Sequence, residues 1–222
     1  MGTFSDNGSA HDHLIRDLAS DLAPVRRLRS PSVRALGWLA VVAMFAVALG
    51  RFADLSALES RLSASPDMWL AVTGSIMTTV LGALAAFQLS LPDANRAWAL
   101  LPLPATLLWV IASGLGCLRA WLVPGTHVAE WTEARDCLIF IIGISIPLSV
   151  AMFVMLRRAC SLQPGLAAAI AGLATAAAAA TLLNFFHPFD AAATDLAVHA
   201  CTVALVIVAN WAFNVRLLSI AP

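Results

Sequence analysis

The stretch 137–156, CLIFIIGISIPLSVAMFVML, carries no charged side chain and is long enough to cross a lipid bilayer as a helix. A helix of about 20 apolar residues spans the hydrocarbon core of a membrane. Membrane β-strands need only about ten residues, with apolar and polar positions in alternation, and this stretch shows neither property. It therefore predicts a membrane-spanning helix.

Five further apolar stretches of similar length accompany it, at 34–52, 67–90, 98–118, 163–186 and 196–218. Of the 222 residues, 60% are hydrophobic and 12% are charged, and the mean hydropathy is +0.85. A soluble domain of this length could not bury so much apolar surface. The sequence thus predicts an all-α membrane protein: a six-transmembrane-helix bundle over 34–222, preceded over 1–33 by a leader that contains a short amphipathic cytoplasmic helix.

The arginines predict the orientation of this bundle, since the chain contains no lysine. Nine of them lie in the leader or on its side of the membrane: Arg16, Arg26, Arg27, Arg29, Arg34, Arg96, Arg157, Arg158 and Arg216. The four on the other side are Arg51, Arg61, Arg119 and Arg135. Because basic residues are retained on the inner side of a membrane, both termini are predicted to be cytoplasmic.

The segment 11–22 of the leader has the periodicity of a short amphipathic helix, and Pro24 ends it. Its apolar stripe consists of Leu14, Ile15, Leu18 and Leu22. An isolated helix of about three turns is marginal in water, so the stripe needs a surface to cover it. The membrane interface, the protein's own cytoplasmic turns and a partner protein are three alternatives. Acidic residues on the opposite face argue against anionic lipid.

The leader has the pattern Leu-Ile-x-x-Leu-Ala-x-Asp-Leu-x-Pro-Val-x-x-Leu. The matching positions are Leu14-Ile15, Leu18-Ala19, Asp21-Leu22, Pro24-Val25 and Leu28. Followed by six apolar stretches, this pattern resembles the NrsF family of bacterial membrane-bound anti-sigma factors. The similarity continues at Cys137, at Arg157-Arg158 and at the turn His187-Pro188.

The resemblance implies a regulator in the bacterial inner membrane, not an enzyme. Its leader would hold an extracytoplasmic-function sigma factor away from RNA polymerase and release it on an envelope, metal or redox stimulus. The partner-binding residues implied are Leu14, Ile15, Leu18, Leu22, Pro24 and Val25, with Arg26 and Arg27 available to acidic groups of the partner. No catalytic triad, phosphate loop or nucleic-acid-binding surface is evident in the sequence.

Thiol and imidazole groups are concentrated on the predicted outer side of the membrane. They are Cys117, Cys137, Cys201, His127, His187 and His199. Such ligands suit zinc or copper(I), and thiols in the periplasm are exposed to oxidation. The spacings match no standard zinc motif, and Cys117 and Cys201 are equally consistent with packing residues. The sequence requires no cofactor, and a metal ion at the outer face is the one that these groups suggest.

The resemblance implies a sensory role for Cys137. The family tends to carry a second cysteine at the turn after the fifth span, where this chain has His187. A Cys–His metal site is then one alternative, and Cys201 in place of the second cysteine is another.

Two other functions compete with the regulator. A small-solute or metal-ion transporter would use the polar residues 73–79 and Asn184, although no charged residue lies in the middle of a span. A membrane redox or haem protein would use His187 and His199, whose spacing across a turn suits no pair of ligands on one helix.

Overall fold

The computed structural model describes residues 6–20, 28–64, 66–122, 131–159, 162–186 and 193–218. Within these ranges the ordered elements are eight α-helices and one 3₁₀ helix. They are α1 (Asp6–Ser20), α2 (Pro31–Gly50), α3 (Leu55–Ala64), α4 (Pro66–Leu89), the 3₁₀ helix (Arg96–Leu100), α5 (Leu103–Leu122), α6 (Trp131–Leu156), α7 (Pro164–Leu183) and α8 (Ala193–Leu218). The predicted all-α class is confirmed for this part of the chain.

Five segments are helical, long and apolar enough to cross a membrane. They are Pro31–Gly50, Met68–Leu89, Arg96–Leu115, Arg135–Leu156 and Pro164–Leu183. Five of the six predicted spans are therefore confirmed by length and composition. In α8 the apolar segment Ala200–Phe213 is shorter, so the sixth span stays a prediction, as does the cytoplasmic position of α1.

Helix α7 forms the centre of the bundle. Of its apolar segment, 78% is buried inside the protein, against 17% for the segment in α2. It packs against α4, α6 and α8, and α4 packs in turn against α2 and α5. Most of the buried positions of α7 are alanine. Small side chains let helix backbones approach closely, which is a principal source of helix association in lipid.

Two glycines mark the closest approaches between helices. A Cβ atom at Gly172 in α7 would lie 2.8 Å from the Cα of Ile207 in α8. A Cβ atom at Gly74 in α4 would lie 2.7 Å from the backbone nitrogen of Trp109 in α5. Since a side chain cannot come so close to backbone atoms, these two contacts require glycine.

The prolines differ in their effect on the helices. Leu103 is the first residue of α5, so Pro102 and Pro104 lie where the 3₁₀ helix has ended and a new helix begins. The amide of Thr106 donates to the carbonyl of Pro102 at 2.9 Å. Proline fits the first turn because its missing N–H has no helical acceptor there. Pro147, in contrast, lies inside α6.

Two short helices are not predicted by the apolar pattern. Helix α3 follows Asp54, whose carboxylate accepts hydrogen bonds from the amide and hydroxyl of Ser56 at 3.0 and 2.7 Å. The 3₁₀ helix is capped by Asn95, whose side-chain oxygen accepts from the amide of Ala97 at 2.9 Å. Both begin with short-range capping, which hydropathy does not detect.

Candidate functional site

The leader helix α1 presents the predicted apolar stripe to solvent. The exposed fractions of Leu14, Ile15 and Leu18 are 59%, 64% and 63%. The helix begins at Asp6, five residues before the predicted start, and is described to Ser20. Its charged residues Asp12, Arg16 and Asp17 are also exposed. The helix therefore offers an apolar surface that the described bundle does not cover.

The remaining predicted partner-binding residues lie outside the described part of the chain. They are Leu22, Pro24, Val25, Arg26 and Arg27. The chain is described again from Leu28, which is 44% exposed, and Arg29 and Ser30 are exposed as well. The role of these five residues stays a prediction.

Arg34, in the first turn of α2, makes the most elaborate polar contact among the described residues. It is only 7% exposed. Its guanidinium donates hydrogen bonds to the hydroxyl of Ser90 at 3.1 Å and to the backbone carbonyl of Met155. Its central carbon lies 4.9 Å from the ring centroid of Phe87, in a cation–π contact. One side chain of α2 thus contacts both α4 with its following turn and the last turn of α6.

Trp38 lies one turn after Arg34 on the same face of α2 and is completely buried. Its indole N–H donates to the backbone carbonyl of Leu148 in α6 at 3.1 Å. Arg34, Ala35 and Trp38 are the buried residues of α2. From the sequence, Arg34 is only one of the arginines that predict the orientation of the bundle in the membrane. The signal for a second role is its position inside the apolar stretch, four residues before a tryptophan, which places both side chains on one helix face.

Cys137 lies near the start of α6, and we call this end of the helix the Cys137 end. The opposite end of α6, where the carbonyl of Met155 contacts Arg34, is the Arg34 end. Cys137 is 6% exposed and packs in a small apolar cluster with Ile141, Ala179 and Leu183. This cluster joins α6 to α7. A buried thiol in apolar packing is protected from water-soluble reagents unless the two helices separate.

Among the other predicted sensor residues, the structure describes the side chain of Cys201 alone. Cys201 is exposed on α8. The backbone of Cys117 belongs to α5 and that of His199 to α8, but their side chains lie outside the description, as does the whole of His187. Among the residues that the structure describes, no group of three or more His, Cys, Asp or Glu side chains could hold a metal ion. The pairing of Cys137 with His187 stays a prediction.

The polar residues of α4, which the transporter alternative would use, bond within the bundle. Thr78 and Thr79 donate to backbone carbonyls one turn earlier in α4 at 2.8 and 2.9 Å. Thr181 of α7 donates to the hydroxyl of Ser75 at 2.9 Å. The side-chain amide of Asn184 donates to the carbonyls of two residues near the end of α7 at 3.2 and 3.3 Å. Of these contacts, only that between Thr181 and Ser75 joins two helices, and the others satisfy carbonyls of the same helix.

A family model matches residues 18–219, and its description is negative regulator of sigma F. The chain belongs to the NrsF family. The match begins at Leu18 in the exposed stripe of α1, and it includes Arg34, Trp38 and Cys137. No curated protein and no solved structure matches the chain. Negative regulation of a sigma factor, and not catalysis, is the activity that the family description names.

Proposed function

We propose that the protein is a membrane-bound anti-sigma factor of the bacterial inner membrane, with six spans and both termini in the cytoplasm. Its leader binds an extracytoplasmic-function sigma factor and keeps it from RNA polymerase. Membership of the NrsF family supports the regulatory role. The five long apolar helices support the membrane location, and the arginine count supports the orientation.

The exposed stripe of α1 is the observation on which the partner-binding role rests. Leu14, Ile15 and Leu18 are each more than half exposed on a helix that also carries exposed charges. A helix with charged residues around it is poorly matched to the hydrocarbon core of a membrane. An apolar stripe at this spacing fits the groove of a folded partner. The leucines would supply affinity, and Arg26 and Arg27 would pair with acidic groups beside the groove.

The stimulus acts, in this proposal, at the Cys137 end. Oxidation or metal binding at Cys137 requires its thiol to leave the apolar cluster that joins α6 to α7. Either event would therefore favour an arrangement of the bundle in which α6 is displaced. His187, Cys117, His199 and Cys201 are the residues available to complete such a site.

Binding by the full chain in nanodiscs tests the proposal. The probe is an extracytoplasmic-function sigma factor from the same bacterium, and binding is measured by biolayer interferometry. Leu18→Asp places a charge in the stripe and should abolish binding. His13→Asp adds the same charge to the same helix on the face away from the stripe and serves as the matched control. Equal binding by the wild-type protein and Leu18→Asp would refute the role of the stripe.

Trypsin tests the orientation with native residues. Arg16 and Arg29 are exposed in the leader, so trypsin should remove the leader from inside-out vesicles and leave it intact on whole spheroplasts. Cleavage on spheroplasts would place the leader outside the cell and exclude sigma-factor binding. Substrate flux in proteoliposomes would instead favour the transporter alternative, which no contact of the described residues supports.

A further inference from the structure

The leader enters the bundle through a short root, residues 28–30, that is tied to the first turn of α2. The amide of Arg34 donates to the carbonyl of Ser30 at 3.1 Å. Within α2 the buried residues are Arg34, Ala35 and Trp38, and the other side chains of this helix are partly or fully exposed. The position of the root therefore depends on what Arg34 and Trp38 contact.

Both side chains donate to backbone carbonyls of α6. Arg34 contacts Met155 in the last turn, and Trp38 contacts Leu148 about two turns earlier. The last four carbonyls of a helix have no partner within the helix, so the carbonyl of Met155 is free to accept from a neighbouring side chain. Because Arg34 is only 7% exposed, water has little access to this acceptor in place of the guanidinium, and loss of the contact would leave the carbonyl poorly satisfied.

Arg34 also holds α4 through the hydroxyl of Ser90 and the ring of Phe87. A guanidinium has five donors in a rigid plane, so one arginine can satisfy acceptors on two helices and stack on a ring at the same time. These contacts coexist only while α4 and α6 keep their present separation. A shift of α6 relative to α4 would break at least one of them.

We propose that Arg34 and Trp38 are positioning residues that transmit the position of α6 to the leader. The inference rests on the proposed function, because the leader is the partner-binding segment. Neither residue belongs to the segment 1–33, so their substitution changes how the leader is presented and not its own binding residues. Helix α6 also carries Cys137, so one continuous helix extends from the Cys137 end to the contacts with Arg34 and Trp38.

Hydrogen exchange of the full chain in nanodiscs tests the contact without any partner. Arg34→Gln should speed exchange of the backbone amides of 34–38 by about tenfold, the equivalent of one or two hydrogen bonds. Trp38→Phe keeps the ring, removes the N–H donor and should give a smaller increase at the same amides. Arg29→Gln removes an exposed arginine of the root and should leave these amides unchanged.

Arg34→Lys distinguishes the positioning role of the guanidinium group from an effect of its positive charge alone. An ammonium keeps the positive charge but cannot reach two acceptors and stack on a ring, so exchange should fall between that of wild type and Arg34→Gln. Protection equal to wild type in Arg34→Lys would mean that only the charge matters, and would overturn the proposal. Equal acceleration in α7 and at 34–38 in both Arg34→Gln and Trp38→Phe would also overturn it, since the contacts would then serve folding alone.

The second test uses the fact that coupling between two sites acts in both directions. If α6 and the leader are coupled, binding of the sigma factor must change exchange at the inner end of α6, residues 148–156, by about fivefold or more. Arg34→Gln should remove this response. An unchanged α6 in a wild-type complex would refute the coupling and leave the proposed function intact. Failure of wild type to bind the sigma factor would refute the proposed function, and the exchange experiment on Arg34 would still decide whether the root is held.

Discussion

Helices α1 and α7 differ in what covers their apolar side chains. Helix α7 is surrounded by α4, α6 and α8, with 78% of its apolar segment buried. Helix α1 leaves Leu14, Ile15 and Leu18 more than half exposed. The side chains of α7 therefore make their contacts within the protein, whereas the apolar stripe of α1 is available for the partner contact that we propose. Substitutions in α7 should change stability, whereas substitutions in α1 should change binding.

The largest loss of stability is expected at Gly172, where α7 and α8 are closest. Gly172→Val places a branched side chain against the backbone of Ile207 and should cost about 3 kcal/mol of the free energy of unfolding, measured by steric trapping in bicelles. Gly114→Val is the control, since a Cβ at Gly114 meets no atom within 4 Å. Similar costs for the two variants would contradict the central packing of α7.

A smaller loss is expected where α7 meets the Cys137 end of α6. Cys137→Phe overfills the cluster with Ile141, Ala179 and Leu183 and should cost about 1–2 kcal/mol in the same measurement. Cys201→Phe enlarges an exposed cysteine on α8 and should be close to neutral. If Cys201→Phe proves the more destabilising, the assignment of Cys137 to the packed side of α6 is wrong.

The hydroxyl contact between α4 and α7 should contribute less. Thr181→Val removes the donor to Ser75 and should lower the free energy of unfolding by about 0.6 kcal/mol, the average for hydrogen bonds between membrane helices. Thr73→Val, at an exposed position of α4, provides the comparison. A loss above that of Cys137→Phe would show that polar contacts, and not close packing, hold α7 in place.

The smallest effect on stability is expected in α1. Leu14→Ala should change the free energy of unfolding by less than about 0.5 kcal/mol, because the side chain is mostly exposed. The same variant should weaken binding of the sigma factor measurably. A large loss of stability with unchanged binding would contradict the contrast between α1 and α7, and would indicate that α1 covers the protein's own surface.

Hydropathy predicted most of the membrane helices because their apolar stretches are long and continuous. The start of the third span, predicted at residue 98, falls within the apolar segment Arg96–Leu115, but hydropathy does not show that this segment is divided into a 3₁₀ helix and α5, which begins at Leu103. The cause is local: Asn95 caps a 3₁₀ helix, and Pro102 and Pro104 favour a new helix start. Helix α3 escaped prediction for a similar reason, since Asp54 caps a segment with no long apolar run.

The contacts of Arg34 and Cys137 could not be predicted because they depend on which helices are neighbours. An arginine at the start of a span is most simply a topology signal, and the acceptors of Arg34 are distant in the sequence, at Ser90 and Met155. Likewise a cysteine at the start of an apolar stretch can face lipid, water or another helix. The exposed stripe of α1 was predictable, since its periodicity is local.

Pro147 makes α6 easier to bend at one position within the helix. Proline donates no backbone hydrogen bond, so the helix is softer between the part that carries Cys137 and the part that ends at Met155. The segment from Pro147 to Met155 is a lever arm of about 12 Å, so a bend of about 10° at the proline displaces its tip by about 2 Å. Such a displacement exceeds the range over which a hydrogen bond persists, so a slight bend would suffice to detach the guanidinium of Arg34.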